Sequence, residues 1–292
     1  PNRIPTAWNG EIKPILHHSP FSTWWGKGAG DRGAFSNILK NYTLHKTIID
    51  TRCKNFFRTF NNSEGMNTPM QLQLPALHAR QRDILAHHAR FKVLACGRRF
   101  GKTTYSLHEI MRVLETGGSV AYFAPTYRMV SEVWRTLKRL SKPQTAVRNE
   151  DEHRIEWHNG AVVECWSLKA ADSVRGRSYD LVVVDEAGQF GDLEEAWNGA
   201  IRPLLTDRQG KAIFASTPRG RNFFYQLYLL GEDAHNPDWQ SFHAPTSANP
   251  FIAPSEIDSA KQTMPARLFA QEYLAEFLAD NSEVFRNVLG CS

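Results

Sequence analysis

The sequence predicts an α/β fold with a mostly parallel central sheet flanked by helices. Two observations predict it. Apolar runs of strand length recur from about residue 91 onward, and segments with helical periodicity separate several of them. Runs that are apolar throughout are typical of strands buried on both faces, and alternation of strands with helices favours parallel pairing.

The first half of this region carries two strand–helix units. ARQRDILAHHA predicts a helix over residues 79–89, and FKVLAC predicts a buried strand after it. A polar loop follows, then an amphipathic helix from about Lys102 to Glu115 that two glycines end. SVAYFAP predicts a second buried strand that stops at its proline, and a helix is expected over about 127–141.

The second half begins with a hairpin. HRIEWHNGAVVECWS alternates between apolar and polar residues around Asn159-Gly160, a dipeptide that strongly favours a hairpin. YDLVVVDEAG then predicts an apolar strand that ends in two carboxylates. KAIFASTPRG predicts a further strand that ends in a polar turn.

Composition limits the function classes. No apolar run approaches the ~20 residues that a membrane crossing needs, so we expect no membrane association. The four cysteines are scattered without a C-x-x-C pair, which favours a reducing compartment and no structural zinc. The net charge of +5 lies in residues 1–65, with nine Lys/Arg and four Asp/Glu, whereas the rest has 26 of each. Bulk charge therefore predicts nothing about nucleic-acid binding by the patterned region.

Both ends of the chain differ from its middle. Residues 1–65 are poorly patterned and either form a genuine N-terminal extension or lie upstream of a native start at Met66 or Met70, which we favour. We expect one domain over residues 66–280. Residues 281–292 are expected to begin another domain, so that the chain is a fragment of a longer protein.

The stretch LACGRRFGKTTYS, residues 94–106, predicts a phosphate-binding loop. It departs from the usual G-x-x-x-x-G-K-[ST] pattern because Cys96 stands where the first glycine belongs. A strand precedes it and a helix follows, so backbone N–H groups and a helix N-terminus would face a phosphate. Lys102 would supply a mobile cation, and Thr103 is placed for magnesium.

A second motif strengthens this interpretation. VVVDE is an apolar strand that delivers two adjacent carboxylates at its carboxyl end, the edge where open α/β sheets bind ligands. Asp185 would hold Mg²⁺ together with Thr103, and Glu186 would orient and deprotonate the attacking water. The predicted fold is therefore a P-loop NTPase of the ASCE type, with ATP and Mg²⁺ as ligands.

The loop also carries an arginine with a catalytic use. Phosphoryl transfer spreads negative charge over the γ-phosphate, and an arginine placed there accelerates the reaction by ~10³–10⁵. Arg98 lies four residues before Lys102, within reach of the phosphates. The alternative is a solvent-facing loop residue.

With these motifs in order, the chain resembles the ATPase domain of the large terminase subunit, the DNA-packaging motor of tailed bacteriophages. The resemblance covers about residues 72–285. CGRRFGKTT is similar to that family's variant Walker A loop, and VVVDEAG to its Walker B strand with the catalytic glutamate. The Walker A match implies nucleotide contacts from the following residues: Gly97, Arg99, Gly101, Lys102, Thr103 and Thr104.

The same resemblance implies roles outside the loop. In SVRGRSYD, Arg175 is implied as a finger that acts on a neighbouring subunit's ATP, with Arg177 as the alternative. Gln81, 21 residues before Lys102, matches a glutamine that reads adenine, although an isolated glutamine on a helix is also a typical surface residue. ASTPRG resembles the coupling motif, which implies that Ser216, Thr217 and Pro218 sense the γ-phosphate.

The resemblance also implies partners. They are double-stranded DNA, the small terminase subunit, the portal protein of the procapsid and further copies of the chain in a ring. The location implied is the bacterial host cytoplasm, at the portal during packaging. NPFIAPSEIDSAKQTMPARLFAQEYLAEF resembles the helical segment that closes the domain, and residues 281–292 the start of a truncated nuclease domain. We expect nuclease activity only of the intact protein.

Other functions stay open. A P-loop DNA helicase or translocase of another family needs a second P-loop-like domain after the coupling motif, and only 72 residues, helical in pattern, follow Gly220. A non-enzymatic nucleotide-dependent assembly protein would not need the water-activating Glu186. A non-functional remnant would retain the same motifs.

Overall fold

The computed structural model describes residues 74–279. The predictions for residues 1–65 and 281–292 lie outside the described residues. In the described range one sheet of eight strands is present. Its strands are β1 (Phe91–Cys96), β2 (Ser119–Ala124), β3 (Thr145–Asn149), β4 (Arg154–Trp157), β5 (Val162–Ser167), β6 (Leu181–Asp185), β7 (Lys211–Ser216) and β8 (Trp239–Ala244).

Helices connect most of the strands and cover the sheet. In the part of the chain that the structure describes, the α-helices are α1 (Ala79–Ala86), α2 (Lys102–Glu115), α3 (Tyr127–Ser141), α4 (Leu193–Ala196), α5 (Phe223–Glu232), α6 (Pro254–Thr263) and α7 (Ala266–Glu272). The helical path after α4 continues through a π turn (Trp197–Ile201) and a 3-10 turn (Arg202–Leu205). Among these described helices, none is long and apolar enough for a membrane crossing.

The strand order is β3-β4-β5-β2-β6-β7-β1-β8. From β5 to β8 every neighbouring pair is parallel, and only β3–β4 and β4–β5 are antiparallel. The prediction of a mostly parallel sheet flanked by helices is confirmed. Because β7 lies between β1 and β6, the carboxyl ends of these three strands meet at one edge of the sheet.

The core lies on both faces of the sheet. On one face Leu94 of β1 packs among residues of α1, α2 and α3, including Tyr105 and Trp134. On the other face Phe91 packs with Trp197 and Phe214, whose rings lie edge to face with centroids 4.8 Å apart. Burial on both faces explains why β1, β6 and β7 are largely apolar, and the one charged residue within β1, the buried Lys92, pairs with Glu109 at 3.0 Å.

The local elements agree with the sequence patterns, with a few differences. The hairpin forms as predicted: Arg154 pairs with Glu164, Ile155 with Val163, and Gly160 takes a positive φ of 83° in the connecting turn. The predicted first helix is shorter than expected. It ends at Ala86 because His87 has an extended backbone (φ −76°, ψ 140°).

Candidate active site

The predicted phosphate-binding loop joins β1 to α2 at the carboxyl edge of the sheet. Cys96 is the fully buried last residue of β1, and burial raises the pKa of its thiol to about 12. Two loop residues have a left-handed backbone, Gly101 at φ 96° and Arg99 at φ 61°. Glycine adopts this conformation without strain, whereas an arginine there costs about 1 kcal/mol or more. Strain of this kind is typical of functional loops.

Gly97 serves the packing of the loop. A Cβ added there would lie 2.6 Å from the Thr246 hydroxyl and 2.7 Å from the Tyr273 carbonyl oxygen, so only glycine permits this close approach. Its N–H already donates to the carbonyl of Ala244 at 2.9 Å. Although the sequence predicts Gly97 as a nucleotide contact, its N–H is used to hold the loop against the last residue of β8.

Lys102, the first residue of α2, points back across the loop. Its Nζ donates to the carbonyls of Cys96 at 3.1 Å and Gly97 at 3.3 Å, and to the Thr217 hydroxyl at 2.9 Å. The side chain is buried, and these three acceptors use all three donors of the ammonium group. The contact with Thr217 joins the loop directly to the end of β7.

Thr103 and Asp185 meet between the loop and β6. The Thr103 hydroxyl donates to Asp185 Oδ2 at 3.1 Å, and the Tyr122 hydroxyl donates to the same oxygen at 2.8 Å. Burial, followed by the Asp185 charge, raises the pKa of Tyr122, so this hydroxyl remains protonated and can donate. The pair offers hard oxygen ligands, which are the type that Mg²⁺ prefers.

Glu186 follows Asp185 with a left-handed backbone (φ 51°) and a half-buried side chain. Gln189 Nε2 donates to its carboxylate at 2.8 Å. Burial is the largest influence and raises the pKa of Glu186, while the charge of Lys102 and the hydrogen bond from Gln189 act in the opposite direction. A carboxyl group with a raised pKa is a stronger base than an exposed glutamate once it is ionised.

A cavity of about 770 Å³ lies at the carboxyl edge of the sheet. Its volume is within the usual range for small-molecule sites. Two predicted site residues described above, Gly97 and the buried Asp185, do not line it. The predicted residues that line it are Arg98, Arg99, Gly101, Lys102, Thr103, Thr104, Glu186, Thr217 and Pro218. Met129, Glu132, Gln189, Arg219, Gln271 and Glu272 complete the lining and were missed by the sequence analysis. Of these six, Arg219 lies within ASTPRG, Gln189 directly follows VVVDEAG, and Gln271 and Glu272 lie in the segment that resembles the closing helices.

Gln81 does not line this cavity. It is buried on α1, where its Oε1 accepts from the His78 N–H at 3.0 Å and its Nε2 donates to the Gly101 carbonyl at 2.9 Å. Both ends of the amide are therefore used by backbone groups. In the structure the Gln81 side chain stabilises the left-handed backbone at Gly101 through the hydrogen bond to its carbonyl and does not face the cavity.

The remaining coupling residue, Ser216, is also outside the lining. It is fully buried at the end of β7, and its hydroxyl donates to the Thr217 carbonyl at 2.8 Å. Of the three predicted coupling residues, Thr217 and Pro218 therefore face the cavity, and Ser216 shapes the turn behind them.

The arginines divide into two groups. Arg98 lines the cavity with a 67% exposed side chain, and its guanidinium donates to the Glu272 carboxylate on α7.

Arg175 lies outside the cavity lining. Its side chain is 65% exposed and pairs at 2.7 Å with Asp172, three residues before it. Arg177 instead donates to Glu164, whose side chain is only 2% exposed. The arginine that the structure leaves at the surface is Arg175 and not the alternative, Arg177.

Comparisons with known proteins agree on one family. A protein-family model described as "Terminase large subunit, T4likevirus-type, N-terminal" matches residues 93–288. The terminase large subunit of Escherichia phage T5 is 34% identical over 201 residues, which cover 67% of this chain and 46% of that protein. The terminase large subunit of Thermus virus P23-45 is 27% identical over 236 residues, 68% of this chain and 48% of that protein.

A solved structure agrees with the sequence comparisons. The large terminase ATPase domain of Thermus phage P74-26 superposes with a TM-score of 0.59 at 26% identity, over 70% of this chain and 94% of that chain. The chain spans about half the length of the curated relatives it matches. The alignment therefore concerns an ATPase domain and leaves the other half of those relatives unmatched.

Proposed function

The chain belongs to the terminase large subunit family, and from this we propose that it hydrolyses ATP to drive viral double-stranded DNA into a procapsid. One observation carries the proposal: Lys102, Thr103 and Glu186 line a single cavity, and the buried Asp185, outside the lining, accepts a hydrogen bond from Thr103. That set supplies a phosphate-binding cation, oxygen ligands for a metal and a base for water.

The loop and the N-terminus of α2 would bind the phosphates of ATP. Backbone N–H groups at a helix N-terminus favour anions, and Lys102 is the adjacent cation. Thr103 and Asp185 would hold Mg²⁺, which when bound neutralises charge on the phosphate oxygens. The hydroxyl–carboxylate contact of 3.1 Å fits this role because both groups offer oxygen ligands.

Glu186 would deprotonate the water that attacks the γ-phosphate. Its raised pKa suits a general base, and Gln189 holds the carboxylate in one orientation. Arg98 in the same subunit and Arg175 of a neighbour would stabilise the developing negative charge. The exposure of Arg175 and its position outside the cavity lining support action on another subunit.

The Lys102–Thr217 contact supports a route from hydrolysis to movement. When ATP binds, the Lys102 ammonium would exchange its carbonyl partners for phosphate oxygens. The turn of Ser216, Thr217 and Pro218 would shift as the hydrogen bond from Lys102 to Thr217 changes. In the intact protein this movement would act on DNA, with a homo-oligomeric ring, the small subunit and the portal as partners in the bacterial host cytoplasm. Nuclease activity is proposed only for the intact protein.

The specific rate of ATP hydrolysis tests this function. We expect Mg²⁺-dependent hydrolysis whose rate per chain rises steeply with protein concentration, because a finger from a neighbour requires association. A rate per chain that stays constant over a hundredfold range of concentration would contradict the contribution of Arg175 in trans. Absence of hydrolysis by folded chain at every concentration would contradict the ATPase itself.

The pH dependence of hydrolysis should reflect Glu186. Because the base must be ionised and its pKa is raised, we expect kcat/KM to fall on acidification at a pH above the usual range of a glutamate, ~4.3. Gln189→Leu removes a hydrogen bond that favours the ionised form, so its activity relative to wild type should fall further at pH 6 than at pH 8. This ratio cancels the titration of ATP. The exposed Gln226→Leu serves as control, and a pH-independent ratio for Gln189→Leu would contradict the assignment.

The Arg98–Glu272 ion pair should compete weakly with ATP. Because Arg98 is largely exposed, breaking the pair costs only ~0–1 kcal/mol. We expect Glu272→Gln to tighten the binding of a non-hydrolysable ATP analogue by at most about fivefold, which corresponds to ~1 kcal/mol. Exposed Glu276→Gln is the control in the same titration. Weaker binding by Glu272→Gln would show that the carboxylate helps to hold nucleotide.

A further inference from the structure

The turn that carries Arg175 has a defined geometry. The Arg177 N–H donates to the Val174 carbonyl at 3.2 Å, which closes a four-residue turn from Val174 to Arg177. Arg175 has φ −55° and ψ 141°, and Gly176 has φ 82°. These angles are those of a type II turn, which requires a positive φ at its third residue. Gly176 supplies it without strain, and Arg175 occupies the second position.

Both corners of this turn are fixed. Val174 is fully buried in the apolar core beneath the sheet. Arg177 donates to Glu164 in the middle of β5, and its guanidinium also lies 4.8 Å from the centre of the Trp166 ring. Between two anchored corners, Arg175 is the residue whose side chain extends into solvent.

Glu164 is the centre of the anchoring cluster. It is a buried carboxylate, 1% exposed, and accepts from Arg154 at 2.7 Å, from Arg177 and from the Tyr179 hydroxyl. Burial raises the pKa of Tyr179, so its hydroxyl remains protonated and can donate. A buried carboxylate is costly unless it is paired, so Arg177 and Tyr179 are held strongly in place. Arg154 enters the same cluster from β4, away from the turn.

The geometry points to Glu164 and Arg177 as positioning residues that hold the type II turn and so present Arg175 to the ATP site of a neighbouring subunit. This inference rests on the proposed action of Arg175 in trans. Neither residue would touch nucleotide. A substitution of either residue would lower the rate of hydrolysis in the neighbouring subunit, because that subunit receives the displaced Arg175. The ATP site of the substituted chain would stay intact.

A mixing experiment with the full chain separates the subunit that donates the finger from the one that hydrolyses. Arg175→Ala is the recipient, with an intact site and no finger. Glu186→Gln is the donor, with an intact finger and no base. Neither variant should hydrolyse ATP at an appreciable rate alone. Their mixture should recover activity in assemblies where Arg175 of a donor chain lies at the ATP site of a recipient chain.

The positioning residues are tested in the donor. Adding Arg177→Gln to the donor releases the turn and should reduce the recovered activity at least tenfold. Adding Arg154→Gln removes the other arginine from the same carboxylate but leaves the turn anchored, so recovery should be nearly unchanged. Arg177→Lys keeps a cation for Glu164 and should recover an intermediate rate. Each donor's thermal melting and ATP binding are compared with those of Glu186→Gln, so that misfolding is detected independently.

The other outcomes overturn the inference in distinguishable ways. Equal recovery with the Arg177→Gln and Arg154→Gln donors, whether high or low, would mean that the cluster does not position the finger specifically. No recovery with the simple Glu186→Gln donor would overturn the proposed finger in trans, and the positioning role with it. Wild-type hydrolysis that persists in that case would leave the ATPase function standing.

Discussion

Arg175→Ala is expected to reduce kcat for ATP hydrolysis by about 10³-fold or more, the lower end of the range for arginine fingers. The affinity for ATP should change little, because Arg175 lies outside the cavity lining and its own pair with Asp172 is exposed. The measurement is steady-state hydrolysis at a protein concentration where the wild-type rate per chain has reached its plateau, together with an ATP titration.

Lys169→Ala is the matched control for this change. Lys169 is an exposed cation in the 3-10 helix (Leu168–Val174) that leads into the Arg175 turn, so its removal changes the charge equally and leaves Arg175 in place. A residual rate above one tenth of wild type for Arg175→Ala would contradict the finger. An equal loss in both variants would indicate that general positive charge, and not a positioned guanidinium, supports hydrolysis.

Glu186→Gln is expected to reduce kcat by about 10²–10⁴-fold, the usual contribution of a general base. ATP binding should be retained or become tighter, because the substitution removes a negative charge near the phosphate-binding Lys102. Hydrolysis in a single turnover and ATP binding at equilibrium separate these two effects.

Glu195→Gln, an exposed change on α4, is the control for Glu186→Gln. If Glu186→Gln hydrolysed ATP within tenfold of wild type, another group would have to activate water. If it lost ATP binding together with hydrolysis, Glu186 would be supporting the structure of the site. Either result would require a different assignment of the base.

Much of the fold could be predicted because its signals are local. The runs in β1, β2, β6 and β7 are largely apolar because both faces of these strands are buried, and Asn159-Gly160 favours a hairpin by its backbone preferences. The loop, Asp185 and Glu186 follow strands directly, so their convergence at one edge follows from parallel pairing. Strand β8 was missed, since WQSFHA has neither an apolar run nor strict alternation.

The parts of the site that escaped prediction depend on long-range contacts. Glu272 forms an ion pair with Arg98, which lies 174 residues earlier in the chain, and no local sequence pattern predicts this contact. Gly97 lies within the phosphate-binding loop in sequence, yet its small size is required by the approach of Thr246 and Tyr273. Likewise, the choice between Arg175 and Arg177 depends on a buried carboxylate in another strand. Sequence identifies the chemical groups in these cases, and packing determines which of them are available.

The most direct test of the account is equilibrium binding of ATP with Mg²⁺ to the folded chain, compared between wild type and Lys102→Ala. We predict one ATP per chain for wild type, and binding weakened by about 30-fold or more in the variant, since loss of a buried charged partner costs about 2–5 kcal/mol. Exposed Lys142→Ala should bind as wild type does. Undetectable binding by folded wild type, or equal binding by Lys102→Ala, would contradict the assignment of this cavity as an ATP site.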